Sequence, residues 1–342
     1  MRAFDLLQPR SAAEAIDALP SEWSARGARP LAGGQDLITE MKAHLVEPEL
    51  LVDLRRVGEA GAGLAWSANG SLRIGALTTI AQLDEDAPLR ERHALLAQAA
   101  HSIGSPQIRS QATVGGNLCQ RPRCWYYRHE GAHCLKKGGS ECFSYAGMNK
   151  YNAILGGGPS WIVHPSDLAP ALVALGASVE IASAGAGVLT SSRALPLAEF
   201  FTRPDAGDPT RENVLAPSEL LLGVDVPAAE AGTRSCYLKF KERGSFDWAL
   251  SAVALVLGFD GARVRRARLV LGGVAPLPWR CEEAEALLIG KPIDAELAAR
   301  AAEAALSGAQ PLSQNGYKVP LTKALVVRAL RQLADRSAEA PR

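Results

Sequence analysis

The sequence predicts an α+β protein of two or three subdomains, on three observations. The N-terminal part runs strand, glycine turn, helix, strand; the last third reads as a β-hairpin followed by helices; and 342 residues, 47% of them hydrophobic, exceed what one small core holds. The charge balance narrows the function. With 37 Lys and Arg against 36 Asp and Glu, the formal charge of +1 gives no long-range field for gathering nucleic acid or anionic lipid. "MRAFDLLQPRSAAEAI" carries no signal-peptide pattern, and no apolar run of about eighteen residues occurs. The expectation is a cytoplasmic protein with no membrane span, with folded export to the periplasm beside a signal-bearing partner as the alternative.

The elements follow in order. In "SAAEAIDAL", Ser11 stands three residues before Glu14, the capping-box spacing that opens a short amphipathic helix. "ARPLAGGQDLITEMK" passes from an apolar segment through two glycines into a helix, and "ELLVDLRRV" reads as a buried strand. "LRIGALTTIAQL" repeats the theme, with Thr78 or Thr79 capping the next helix. "APLRERHALLAQAAHSI" predicts one longer helix, followed by the irregular "GSPQIRSQATVGGNLCQ". From 119 to 160 the chain shows no clear periodicity, which is unusual over about forty residues unless something orders them. "WIVHPSDLAPALVALGASVEIAS" predicts a strand, a turn, a short helix and another strand. A polar connection, "FTRPDAGDPTRENVLAPSE", leads to the strand "LLLGVDVP". "WALSAVALVLGFDGARVRRARLVLGGVAP" is two strands joined at Asp260 and Gly261, a strong hairpin signal. Helices follow at "CEEAEALLIG", "DAELAARAAEAAL" and "LTKALVVRALRQLADR", the last with Pro320 near its first turn.

Two stretches carry the first chemical signal. "AGGQDL" and "TVGGNL" each set paired glycines at a turn before an amide side chain, where backbone can approach a ligand with no Cβ in the way. Either alone reads more readily as a tight turn; two together suggest the cradle of one dinucleotide pyrophosphate. Neither is a Rossmann or P-loop motif. The second signal is the placement of thiols. Four of the six cysteines, Cys119, Cys124, Cys134 and Cys142, fall in one loop, which points to metal binding rather than a disulfide scaffold. Cys236 and Cys281 stand alone in apolar or helical context and read as packing residues.

Six motifs taken in order, "PLAGGQDLITEMK", "RIGALTTIAQL", "IRSQATVGGNL", "HPSDLAPALVALGA", "FKERGSFDWALSAVAL" and "LGGVAPLPWRCEEAEALLIGK", resemble the FAD-binding subunit of the molybdenum hydroxylases. That family includes xanthine, aldehyde, carbon monoxide and 4-hydroxybenzoyl-CoA oxidoreductases, and the resemblance covers nearly the whole chain. It implies a vanillyl-alcohol-oxidase-type, PCMH-like fold: two α/β subdomains holding FAD, then a C-terminal α+β subdomain with an antiparallel sheet. Mapped here, these are residues 1–56, 57–225 (with an insertion at 119–160) and 226–342. The resemblance implies that Ala32, Gly33, Gly34, Gln35, Asp36 and Leu37 wrap the FAD diphosphate, and that Thr113, Gly115, Gly116 and Asn117 face diphosphate and flavin. It further implies that Asp167 accepts from FAD hydroxyls, an acceptor-only role that suits a carboxylate, although "PSDL" reads equally as a helix cap. Leu222 falls where an apolar residue meets a cofactor ring, and Lys241 where a lysine approaches the cofactor.

The insertion is similar to loops in bacterial aldehyde oxidoreductases and 4-hydroxybenzoyl-CoA reductases that hold a [4Fe-4S] cluster beside the flavin. Four thiolates on irregular backbone suit a cubane, and the missing paired knuckles disfavour zinc. In that type the fourth cysteine is expected near the position of Trp161, so either Cys119 substitutes or a non-cysteine ligand completes the site, with His129 and His133 nearest. Arg121, Arg123, Arg128, Lys136, Lys137 and Lys150 are expected to offset the charge, and Trp125, Tyr126, Tyr127, Phe143 and Tyr145 to exclude water.

The chain has neither a molybdopterin motif nor plant-type [2Fe-2S] spacing, so the expected function is electron transfer. The resemblance implies that substrate, an aldehyde by the likeness of the insertion, is hydroxylated on a large molybdopterin-binding subunit, and that electrons cross a small subunit with two [2Fe-2S] clusters to FAD and leave to an external acceptor. Two rivals are a self-contained FAD oxidoreductase, active as a lone chain, and a non-catalytic metal-loop scaffold, which is colourless.

Overall fold

The computed structural model describes residues 1–335. Residues 336–342, assigned above to the last subdomain, lie outside the described residues, as does Arg336 at the end of the last predicted helix.

The first unit holds β1 (Asp5–Leu7), α1 (Ala12–Asp17), β2 (Arg29–Leu31), α2 (Leu37–Lys42) and β3 (Leu50–Asp53), with β3 central in a parallel sheet. Ser11 caps α1 by accepting from the Glu14 N–H, while the Glu14 carboxylate reaches one residue past the cap to the Arg10 N–H at 2.8 Å.

The second unit begins with β4 (Leu64–Trp66) and β5 (Leu72–Gly75) and continues through α3 (Ile80–Glu85), α4 (Ala87–Arg92), α5 (Ala94–His101), α6 (Pro106–Gln111) and α7 (Val114–Leu118). The cysteine loop follows, with one short helix, α8 (Trp125–Arg128). The chain then forms α9 (Leu168–Leu175), β6 (Ser178–Gly185), β7 (Val188–Pro196), α10 (Leu197–Phe200) and β8 (Glu219–Val226). Its strands make one antiparallel sheet, ordered β4-β5-β8-β6-β7.

The third unit is an antiparallel sheet of β9 (Thr233–Phe240), β10 (Ser251–Asp260), β11 (Arg263–Gly272) and β12 (Trp279–Arg280), covered by α11 (Glu282–Leu288), α12 (Ala295–Ala305) and α13 (Lys318–Ala334). The β10–β11 turn is where the sequence places it, with Gly261 at φ +57°, a conformation that favours glycine.

The long apolar run of β10 has a physical reason: both of its faces are buried. Ala252, Ala254 and Val256 pack with α9 and the five-stranded sheet, whereas Val253, Leu255 and Leu257 pack beneath the C-terminal helices. One core therefore continues from the second unit into the third. Cys236 and Cys281 lie in the second of these clusters, both thiols pushed up by burial, as packing residues should be.

Three expectations need correction. The single helix over 87–103 is two, broken at His93, whose buried ring leaves helical geometry (φ −135°, ψ 59°) and stacks on Trp66 at 5.7 Å. The segment 104–120 is not irregular; Ser105 and Thr113 cap α6 and α7. No strand forms at Trp161. That segment is stitched instead by single bonds, Ala153 N–H to the Trp161 carbonyl and His164 N–H to the Ala275 carbonyl, both at 3.0 Å.

Candidate functional site

The two glycine stretches meet. Between β2 and α2, Gly34 adopts φ +71°, and a Cβ on Gly33 would stand 1.9 Å from the Gln111 carbonyl oxygen just before α7. The second stretch is fastened to the end of β5: the Val114 and Gly115 N–H groups donate to the Thr78 and Ala76 carbonyls, and Thr113 Oγ1 accepts from Gly116 N–H at 3.1 Å. The N–H groups of Val114, Gly115, Gly116 and Asn117 are therefore spent on the fold. Among the described hydrogen bonds, none has a backbone donor from Gly33 to Leu37, so the first stretch keeps a run of amides available to a ligand.

These loops form the floor of a cleft of about 950 Å³. It is lined by Ala32, Gly33, Gly34, Gln35, Asp36 and Leu37 on one side and by Thr113, Gly115, Gly116, Asn117, Cys119 and Asp167 on the other. Asn117 is oriented by Ser166, whose hydroxyl donates to Asn117 Oδ1. Asp167 is buried and accepts from Tyr237 Oη at 2.6 Å and Lys239 Nζ at 2.7 Å. Its side chain does not cap α9; Ser166 does that, accepting from Ala169 N–H. Burial, the neighbouring carboxylate and their hydrogen bond hold the Tyr237 hydroxyl well above its ordinary range, so it stays protonated as a donor.

Two expected residues do not line the cleft. Leu222 is packed in the core with Ala12, Ile16 and Val52, while its neighbours Leu220 and Leu221 reach the cleft wall. Lys241, just past the end of β9, donates to the Ser245 carbonyl, and Lys239, two residues earlier and within β9, is the lysine at the cleft. Period-two alternation would have offered Lys239 as a partner candidate. The sequence reading also missed the cleft mouth. Trp23 lies there beside Arg29 and Arg211, whose guanidinium carbons are 5.4 and 6.0 Å from its ring, and Phe246 and Trp248 stand exposed opposite.

Asp36 joins the cleft to the cysteine loop. Its carboxylate accepts from Arg121 N–H at 2.6 Å, Arg123 Nη1 at 2.5 Å and Arg128 Nη2 at 2.7 Å, so only its backbone is left to face a ligand. Glu40 accepts from Tyr127 Oη, and its carboxyl is pushed up by burial and by Asp36. Glu212, buried, takes Lys136 at 2.9 Å and Arg121 at 3.0 Å. The expected role of the loop's cations therefore needs revision: Arg121, Arg123, Arg128 and Lys136 are engaged by protein carboxylates, and Lys150 pairs with Glu242. Their first effect is to fasten the loop.

Within the loop, Cys124, Cys134 and Cys142 line one small enclosed void, together with Tyr126, Tyr127 and Phe143. Trp125 and Tyr145 are exposed and take no part in shielding it. Hydrogen-bond donors reach two of the sulfurs: Trp161 N–H to Cys142 at 3.5 Å and Asn152 Nδ2 to Cys124 at 3.9 Å. Burial pushes the Cys124 thiol up, and the backbone N–H groups of Tyr127 and Tyr126 act the other way. Cys119 does not join them; it lines the large cleft, its thiol pushed up to about 12 by burial. Among the described residues, no three His, Cys, Asp or Glu side chains stand close enough to hold a single metal ion.

A cleft floored by glycine backbone, with open amides on one side and a buried acceptor on the other, fits a dinucleotide, and the comparisons with known proteins say which. Residues 2–229 match the family described as the FAD binding domain in molybdopterin dehydrogenase, and residues 235–333 match the CO dehydrogenase flavoprotein C-terminal domain. The chain belongs to the family of FAD-binding subunits of the molybdenum hydroxylases, and is an FAD-dependent electron-transfer subunit. It is 33% identical to the aldehyde oxidoreductase FAD-binding subunit PaoB of Escherichia coli strain K12, over 97% of this chain and 98% of that one. It is 28% identical to the carbon monoxide dehydrogenase medium chain of Hydrogenophaga pseudoflava, over 96% of both. The solved carbon monoxide dehydrogenase of that organism superposes with a TM-score of 0.74 over 96% of both chains at 28% identity, and quinoline 2-oxidoreductase from Pseudomonas putida 86 with 0.73 over 97% of both at 25%.

Among the described residues, no helix is long and apolar enough to cross a membrane.

Proposed function

We propose that this chain carries electrons for an aldehyde-oxidising complex, with FAD in the cleft between the two glycine stretches. FAD, when bound, is where electrons arriving one at a time are paired and released. The residues of this chain hold and insulate it. The open amides of Gly33 to Leu37 face the diphosphate, with Ala32 beside them; Thr113, Gly115, Gly116 and Asn117 form the opposite wall; Asp167, held in place by its bonds from Lys239 and Tyr237, accepts from sugar hydroxyls. Residues 1–56, 57–225 and 226–342 act as three subdomains, a division supported by one sheet in each.

One observation favours electron transfer over self-contained substrate oxidation. Five of the six carboxylates lining the cleft are engaged by protein groups, Asp36, Glu40 and Glu212 as described, Glu219 by Arg193 and the Ala216 N–H, and Asp247 by Ser245 and Arg243, and the sixth, Asp167, is bonded by Tyr237 and Lys239 and is assigned to the cofactor's sugar. A general base needs a carboxylate with an open face toward substrate.

The cysteine loop is read as the seat of a [4Fe-4S] cluster held by Cys124, Cys134 and Cys142. Support comes from the void they share and from the N–H groups aimed at two of their sulfurs. The likeness to the PaoB subunit supports an aldehyde as substrate; a large molybdopterin-binding subunit and a small [2Fe-2S] subunit as partners, and an external acceptor, complete the reading. Assembly in the cytoplasm belongs to the same reading, with co-export on a signal-bearing partner as the second.

The test is anaerobic mixing of aldehyde with the assembled three-subunit complex and with the lone chain. Bleaching of the flavin absorbance in the complex only is expected. Bleaching in the lone chain overturns electron transfer in favour of self-contained catalysis, and no bleaching in either overturns the substrate.

A further inference from the structure

The void in the cysteine loop has a wall that three thiols do not account for. Four polar side chains line it besides the cysteines and Ser160, and each has a partner. Ser144 Oγ lies 3.1 Å from Cys142 Sγ, Tyr126 Oη accepts from Met148 N–H, Tyr127 Oη donates to Glu40, and Lys136 Nζ donates to the Pro209 and Arg211 carbonyls. Ser160 differs. It is 1% exposed, and its hydroxyl has no hydrogen-bond partner among the described residues. A buried hydroxyl is rarely left unpaired, so an orphan of this kind marks a group that something else is meant to meet.

The backbone beside Ser160 is tied to the thiols. The next residue, Trp161, donates its N–H to Cys142 Sγ, and its carbonyl accepts from Asn152 Nδ2, the amide that also reaches Cys124 Sγ. Ser160 is thus held at the same void by the segment that orients two of the sulfurs. Cys119 is on the other side of the loop, in the cleft wall and against the apolar core.

We propose that Ser160 Oγ is the fourth ligand of the cluster, so that the site is three thiolates and one serine oxygen. The proposal rests on the reading of the loop as a [4Fe-4S] seat. On assembly the hydroxyl loses its proton to solvent, as each thiol does, and one Fe–O bond forms at the corner the three cysteines leave open. An oxygen is a harder donor than sulfur and stabilises the oxidised iron, so one iron differs from the other three and the cluster potential is lowered.

The test is Mössbauer spectroscopy with iron, sulfide and flavin assays on the full chain purified anaerobically, as wild type, Ser160→Ala, Ser160→Cys and Cys119→Ser. The expected wild type holds about four irons per flavin, one with an oxygen-type isomer shift. Ser160→Ala is expected to lose about one iron in four and to show the paramagnetic signal of a three-iron cluster. Ser160→Cys should restore the iron, make the sites alike and raise the potential, while Cys119→Ser leaves the spectrum as in wild type. Iron loss in Cys119→Ser, or a Ser160→Cys spectrum identical to wild type, overturns the assignment and leaves the cluster reading standing. If Ser160→Ala does not fold, the Ser160→Cys spectrum alone decides. Full flavin with neither iron nor sulfide overturns the cluster reading, and the ligand with it.

Discussion

Gly33 has no space for a methyl group. A Cβ 1.9 Å from the Gln111 carbonyl would push α2 away from the α6–α7 connection, whereas one on Gly116 meets only the Thr113 hydroxyl at 3.0 Å. Gly33→Ala is therefore expected to lower bound FAD at least about tenfold and Gly116→Ala far less, read from the ratio of flavin to protein absorbance. Asp167 is the second test at this scale. A hydrogen bond to a charged acceptor contributes about 1.5–3 kcal/mol, so Asp167→Asn is expected to weaken FAD binding by about ten- to a hundredfold in a fluorescence titration of the apoprotein. That the two glycine stretches and Asp167 stand at one cleft agrees with a chemical reason each carries in its own residue type. The places of Leu222 and Lys241 could not be read, because a run of three leucines does not say which of them packs in the core, and of the two lysines at and just past the end of β9 only the fold shows that Lys239 reaches Asp167.

Among the elements, the cysteine loop is the one whose order the sequence could not explain. Its thiols and aromatics were visible, but periodicity is silent where long-range ion pairs do the ordering. Asp36 collects three donors from the loop, Glu212 fixes Lys136, and Asn149 bonds to Ser313 at the far end. Lys136 and Glu212 are both buried, and removing one partner of such a pair costs about 3–5 kcal/mol. Arg121 still faces Glu212, so Lys136→Met is expected near the lower end, about 3 kcal/mol in urea unfolding, with faster protease cleavage within 119–160. The break at His93 was hidden for a related reason. "APLRERHALLAQAAHSI" scans as one helix, and the stacking of His93 on Trp66, from a distant strand, favours interruption.

At the scale of the whole molecule, the β10–β11 hairpin and the C-terminal helices were readable because local turn chemistry and periodicity agree with the tertiary core. The shared burial of β10 from both sides was not, since a continuous apolar run does not say what covers each face. Lys318 shows how the units are joined. Fully buried at the start of α13, its amine donates to the Tyr151 carbonyl at the end of the cysteine loop and to the Gly273 carbonyl after β11. Burial lowers its pKa from 10.5 to about 7. Between pH 7 and 10.5 the unfolded chain therefore binds more protons than the folded one, and stability rises with pH across that window by at most about 1.4 kcal/mol per unit. Below pH 7 that contribution is gone. Lys318→Met is expected to flatten this rise, checked by urea unfolding at a series of pH values.

The most direct test of the account is the visible absorption spectrum of the full chain, purified anaerobically and then exposed to dithionite and, separately, to aldehyde. The account predicts about one FAD per chain, bleached by dithionite and untouched by aldehyde in the absence of partner subunits. A colourless chain, or a flavin that aldehyde alone reduces, contradicts it.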